Sequence, residues 1–94
     1  MIKEACVESL SEALIAEKKG ADRIELCDNL AVGGTTQSYG TIKLALKYLN
    51  IPVFPIIRAR GGDFFYSHEE IEIMKEDIKI CKSLGVKVWF WECL

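Results

Sequence analysis

Two Glu-x-Cys pairs stand out in this sequence. Glu4 and Cys6 lie two residues apart, and Glu25 and Cys27 repeat the pattern 21 residues later. Both pairs fall in β-prone stretches. Side chains alternate along a strand, so each Glu shares a face with its Cys, while Ile24 and Leu26 take the opposite one. A third β-prone stretch ends in Arg58 and Arg60, with Asp63 just after two glycines. Guanidiniums at a strand end can hold a carboxylate or phosphate, and Glu4 or Glu25 can serve such a substrate as acid or base. That chemistry belongs to an enzyme acting on a small anionic substrate. Each residue also has a structural reading. Cysteine is among the commonest core residues, and buried Glu and Arg can satisfy one another as ion pairs. Cys81, on a helix face, is expected to pack. His68 sits at a helix start and is expected to be solvated.

These residues need strands to aim them. Residues 2–7, 23–27, 52–58 and 86–90 read as four strands. Helices intervene, each with a start signal. Ser9 and Glu12 fit a capping box, as do Ser67 and Glu70, and Ser38 is the expected cap of the middle helix. Gly20 and Gly85 are helix stops. The apolar faces are Leu10, Ala13 and Leu14, then Ile42, Ala45, Leu46 and Leu49, then Ile71, Met74, Ile78 and Cys81. Strands alternating with helices imply an α/β fold with parallel pairing and right-handed crossovers. An open doubly wound sheet and the start of a barrel both fit. No G-x-G-x-x-G follows the first strand, which disfavours dinucleotide binding. In either architecture the working face lies at the C-terminal ends of the strands, where these polar residues gather.

Composition narrows the function classes. With 94 residues the chain is one domain at most, and its net charge of −2 disfavours a nucleic-acid partner. No apolar run approaches the ~20 residues of a membrane span. Residues 1–8 lack the apolar core of a secretory signal. The expectation is a cytoplasmic protein whose four cysteines are reduced. Their spacings of 21, 54 and 12 match no zinc finger.

Three segments in order, Glu4-Ala-Cys-Val-Glu-Ser9, Gly20-Ala-Asp-Arg-Ile-Glu-Leu-Cys27 and Ile57-Arg-Ala-Arg-Gly-Gly-Asp-Phe64, resemble the CutC family. The Gly33-Gly34-Thr35-Thr36 loop, Tyr66-Ser67 and a following acidic helix with Met74 and Asp77 extend the likeness from about Ile2 to Val86. The resemblance implies a (β/α)₈ barrel of the TIM-barrel type, of which this chain holds three βα units and a fourth strand. It also implies a role in cytoplasmic copper homeostasis, with copper as Cu(I) held at Cys6 and Cys27. Soft thiolates suit Cu(I), and neighbouring parallel strands lie ~4.8 Å apart. The implied partners are a metal ion or a small anionic ligand, with a homo-oligomer as a further expectation. The rival readings are the anion enzyme and a truncated chain without function.

The chain departs from the family pattern in three ways. Ala59 and Gln37 each replace a proline, and both changes are expected to loosen loops at the working face. An eight-stranded barrel needs ~200–250 residues. The last residues, Lys87-Val-Trp-Phe-Trp-Glu-Cys-Leu94, do not match the family's glycine-flanked strand. Restoring one G after the Lys87 codon turns the reading into Lys-Gly-Val-Val-Leu-Gly. The expectation is therefore a family-like domain to about residue 86 and a frameshifted tail over 87–94.

Overall fold

The computed structural model describes residues 1–86. The tail over 87–94, Cys93 and all but the first residue of the expected fourth strand lie outside them. Three parallel strands alternate with three helices. They are β1 (Glu4–Val7), α1 (Leu10–Lys18), β2 (Arg23–Leu26), α2 (Tyr39–Tyr48), β3 (Val53–Pro55) and α3 (His68–Ser83). A single 3₁₀ turn, Leu30–Val32, lies between β2 and α2. The strands pair in the order β1-β2-β3. This is the expected α/β class, a run of consecutive βα units from a (β/α)₈ barrel.

Each helix starts at its serine. The Ser9, Ser38 and Ser67 side chains accept from the backbone N–H groups of Glu12, Thr41 and Glu70. The Ser67 capping box is complete, because Glu70 Oε1 accepts from Ser67 N–H at 2.8 Å. The Ser9 box is not. Glu12 reaches one residue further back and accepts from Glu8 N–H at 2.7 Å, which corrects the expected reciprocal pair.

One core forms between the sheet and the helices. Val7, Ile24, Leu26 and Val53 supply it from the strands, and Ala13, Ile42, Ala45, Met74 and Cys81 from the helices. Burying a side chain such as Ile24 or Leu26 is worth about 1.5–3 kcal/mol. Two residues of the expected apolar faces stay outside, Leu14 at 39% and Ile71 at 40% exposure. Burial along β2 alternates, with Ile24 and Leu26 buried and Arg23 and Glu25 half-buried. The opposite face of the sheet, which would line the interior of a closed barrel, carries the polar residues. β3 is shorter than residues 52–58, because only Ile24, Glu25 and Leu26 pair with it. One more backbone bond to β2 follows Pro55, from Ile56 N–H to the Leu26 carbonyl at 2.9 Å, and Arg58 then pairs with Thr36.

Candidate functional site

The register of β1 on β2 sets the site. Glu4 stands opposite Arg23 and Cys6 opposite Glu25. Glu4, Cys6 and Glu25 therefore share one face of the sheet, whereas Cys27, just past β2, is buried with the apolar core residues. Cys27 falls just past the strand end, two residues beyond the partner of Cys6. The cysteines are thus diagonal neighbours, with Cα atoms about 8 Å apart from the strand spacing and rise, rather than a directly opposed pair. Cys6 is exposed and its thiol donates to Glu25 Oε2 at 3.6 Å. Cys27 is 2% exposed and its thiol donates to the Val7 carbonyl at 3.6 Å. Burial pushes the Cys27 thiol up from its usual 9.0 to about 11, helped by the nearby Cys6 thiol and the Glu25, Glu8 and Asp28 carboxylates.

Glu4 has a structural partner that the sequence reading did not single out. Arg23 Nε lies 2.7 Å from Glu4 Oε2, and the guanidinium rests over the Phe54 ring at 5.7 Å. Arg23 stands opposite Glu4 and alternates with Ile24, so both partners lie on one face of the sheet. Its pairing with Glu4 depends on strand register, which alternation does not give.

Arg58 and Arg60 are both engaged by the protein itself. Arg58 is 8% exposed. Its Nη1 donates to the carbonyls of Val32 at 2.8 Å and Gly34 at 3.2 Å, and its Nη2 to that of Gly62 at 2.8 Å. Phe64 covers the guanidinium at 4.8 Å. Arg58 thus ties together the two glycine loops. The fit is tight, since a Cβ on Gly33 would fall 2.7 Å from Arg58 Nη1. Gly33 and Gly34 also hold positive φ, 91° and 95°. Arg60 turns the other way. It donates to Glu70 at 2.5 Å, to Asp63 Oδ1 at 3.3 Å and to the carbonyls of Gly61, Asp63 and Phe65. The Phe65 N–H holds the Asp63 carboxyl below its usual range, with Arg60 assisting. The Ser67 N–H does the same for Glu70, again with help from Arg60. Asp63 and Arg60 form the frame of the loop before α3. Arg58, Arg60 and Asp63 are therefore brought together around the second glycine pair, while Glu4, Cys6, Glu25 and Cys27 form a separate group on β1 and β2.

Gln37 corrects another expectation. It stands where a proline was expected to matter for rigidity, yet its side chain ties rather than loosens. Nε2 donates to the carbonyls of Glu8 at 2.7 Å and Cys27 at 2.9 Å, and Oε1 accepts from Ser38 N–H. It bridges the ends of β1 and β2 beside the thiols. A proline offers no such donors.

Among the described residues no group of three or more His, Cys, Asp or Glu side chains is arranged to hold a metal. His68 is solvated and pairs with Glu72, and Cys81 is core at 1% exposure.

Comparison with known proteins agrees with the fold and the motifs. The CutC family model matches residues 1–90. A CutC family protein of Photorhabdus laumondii is 54% identical over 82 residues, 87% of this chain and 33% of that protein. The human copper homeostasis protein cutC homolog is 52% identical over 84 residues, 89% of this chain and 31% of that protein. A crystal structure of CutC from Streptococcus agalactiae superposes with a TM-score of 0.85 at 47% identity, covering 94% of this chain and 44% of that one. The chain spans about a third of the length of the curated relatives it matches. No helix among the described residues is long and apolar enough to cross a membrane. With matching motifs, a matching fold and about half of its residues identical to these relatives, the chain belongs to the CutC family.

Proposed function

We propose that this chain contributes a Cu(I)-binding site to a cytoplasmic copper homeostasis protein, with the Cys6 and Cys27 thiolates as ligands. The reading is supported by the register of β1 on β2, which sets Cys6 opposite Glu25, two residues before Cys27. Two soft sulfurs favour Cu(I), and the human and mouse relatives are named copper homeostasis proteins. Glu25, beside Cys6, is the acceptor for the proton a binding thiol must lose. The experiment is an anaerobic Cu(I) competition titration against a chelator. Cys6→Ser and Cys27→Ser are each expected to lower affinity sharply, and Cys81→Ser to leave it unchanged. The double variant should lose little beyond either single one, because one thiolate already makes a poor site. Unaltered copper affinity in the double variant would remove the assignment.

A second reading, an enzyme for a small anion, has one observation in its favour. The buried Arg58 meets no carboxylate among the described residues, and its Nε has no hydrogen-bond partner there. Isothermal titration with inorganic phosphate separates the two, since only the anion reading predicts binding lost in Arg58→Ala and kept in Lys75→Ala.

A further inference from the structure

The loop that follows β2 closes over Cys27 and is held shut from a distance. Asp28 and Thr35 exchange two backbone hydrogen bonds, at 2.9 and 2.7 Å, so the loop folds back just past Cys27. At its turn, Gly34 lies so close to Cys27 that a Cβ there would stand 3.5 Å from the cysteine Cβ and 3.6 Å from its Sγ. The Gly34 carbonyl is in turn held by Arg58 Nη1, which also holds Val32. On the backbone side, Thr36 grips the same residue. Its N–H and Oγ1 donate to the Arg58 carbonyl, and its Oγ1 accepts from Arg58 N–H. Arg58 does not touch the thiol. It fixes the loop that does.

We infer that Arg58 is a positioning residue for Cys27: its guanidinium latches the Gly33–Gly34 loop against the thiol and so sets how readily Cys27 meets an incoming ligand. The inference deepens the copper reading, on which the importance of Cys27 rests. The latch itself is independent of metal. A loop secured by two of its carbonyls on one side chain opens locally when that side chain is lost. The apolar core under the helices has no such dependence.

The test is metal-free alkylation of the full chain with iodoacetamide, read by mass spectrometry. Cleavage after Arg23 and Lys43 places Cys27 alone in its peptide. Cys81, buried in the core, is the internal control. Arg58→Met keeps the apolar stem and removes the donors. It is expected to speed Cys27 labelling by about tenfold, the scale of losing hydrogen bonds from a charged donor, with Cys81 unchanged. Arg58→Lys, which keeps the charge and a donor, should fall between. The sign discriminates, because losing a nearby positive charge alone raises a thiol's pKa and slows its alkylation. Cys27 labelling at the wild-type rate in both variants, or Cys27 and Cys81 accelerating in parallel in both, would overturn the inference. Because no copper is present, this result stands apart from the outcome of the Cu(I) titration.

Discussion

At the level of single residues, two arginines do different work, Arg23 in β2 and Arg58 beyond the end of β3. Arg23 pairs with Glu4 on an open face, where both side chains keep a third or more of their exposure. Such pairs are worth about 0–1 kcal/mol. Arg58 is buried and satisfies three carbonyls. Removing it leaves those carbonyls bare, at a cost of about 3 kcal/mol or more. Urea denaturation of Arg23→Met and Arg58→Met is expected to give a small and a large loss of stability in that order. Equal losses would place Arg58 on the surface energetically. Alternation made the shared face of Glu4, Cys6 and Glu25 legible in the sequence. It was silent on register, so the diagonal offset of the thiols and the Glu4–Arg23 pair became visible only in the sheet. The roles of Gln37 and Arg58 were hidden for a related reason. Both act on backbone carbonyls, which every residue carries and no motif marks.

Among the elements, the capping serines were legible because an N-cap is a local device. Ser67→Ala is expected to cost about 1 kcal/mol, measured as a shift in the thermal midpoint. Glu70→Ala should cost more, since Glu70 closes the capping box and also receives Arg60. Gln37→Ala removes two donors from the carbonyls of Glu8 and Cys27 and is expected to cost about 1–2 kcal/mol. The strand ends were less legible than the helix starts. Residues 52–58 read as one strand, yet the paired ladder ends at Pro55, which has no N–H to donate, with one last bond from Ile56 to Leu26. Strand length is set by the neighbour, and a single stretch of sequence does not contain it.

For the molecule as a whole, pH dependence follows from the two buried thiols. Cys27 and Cys81 are both raised from 9.0 to about 11, chiefly by burial. The folded chain therefore keeps protons that the unfolded chain releases near pH 9. Stability from these sites is fully present below about pH 9 and is lost as pH rises toward 11. Denaturation midpoints should fall across that window, and Cys81→Ala should flatten the slope. The sheet carries a second expectation. Among the described strands, β1 and β3 each have one neighbour, and unpaired edges recruit other strands. We expect the isolated 94-residue chain to self-associate, with its sedimentation coefficient falling on about a hundredfold dilution. A constant monomer value would contradict this.

The pairing offsets bear on the order in which this fold is made. β1 meets β2 across 19 residues, and β2 meets β3 across 29. Each strand thus finds its neighbour within the stretch of chain that has most recently emerged during synthesis. At about 5–20 residues per second, Arg58 leaves the ribosome on the order of ten seconds or less after Met1. Every contact of Cys27 described above, from Val7 to Gly34 and Gln37, is already present in that nascent length. The pocket of the thiol is thus assembled early, and its latch arrives last, with Arg58.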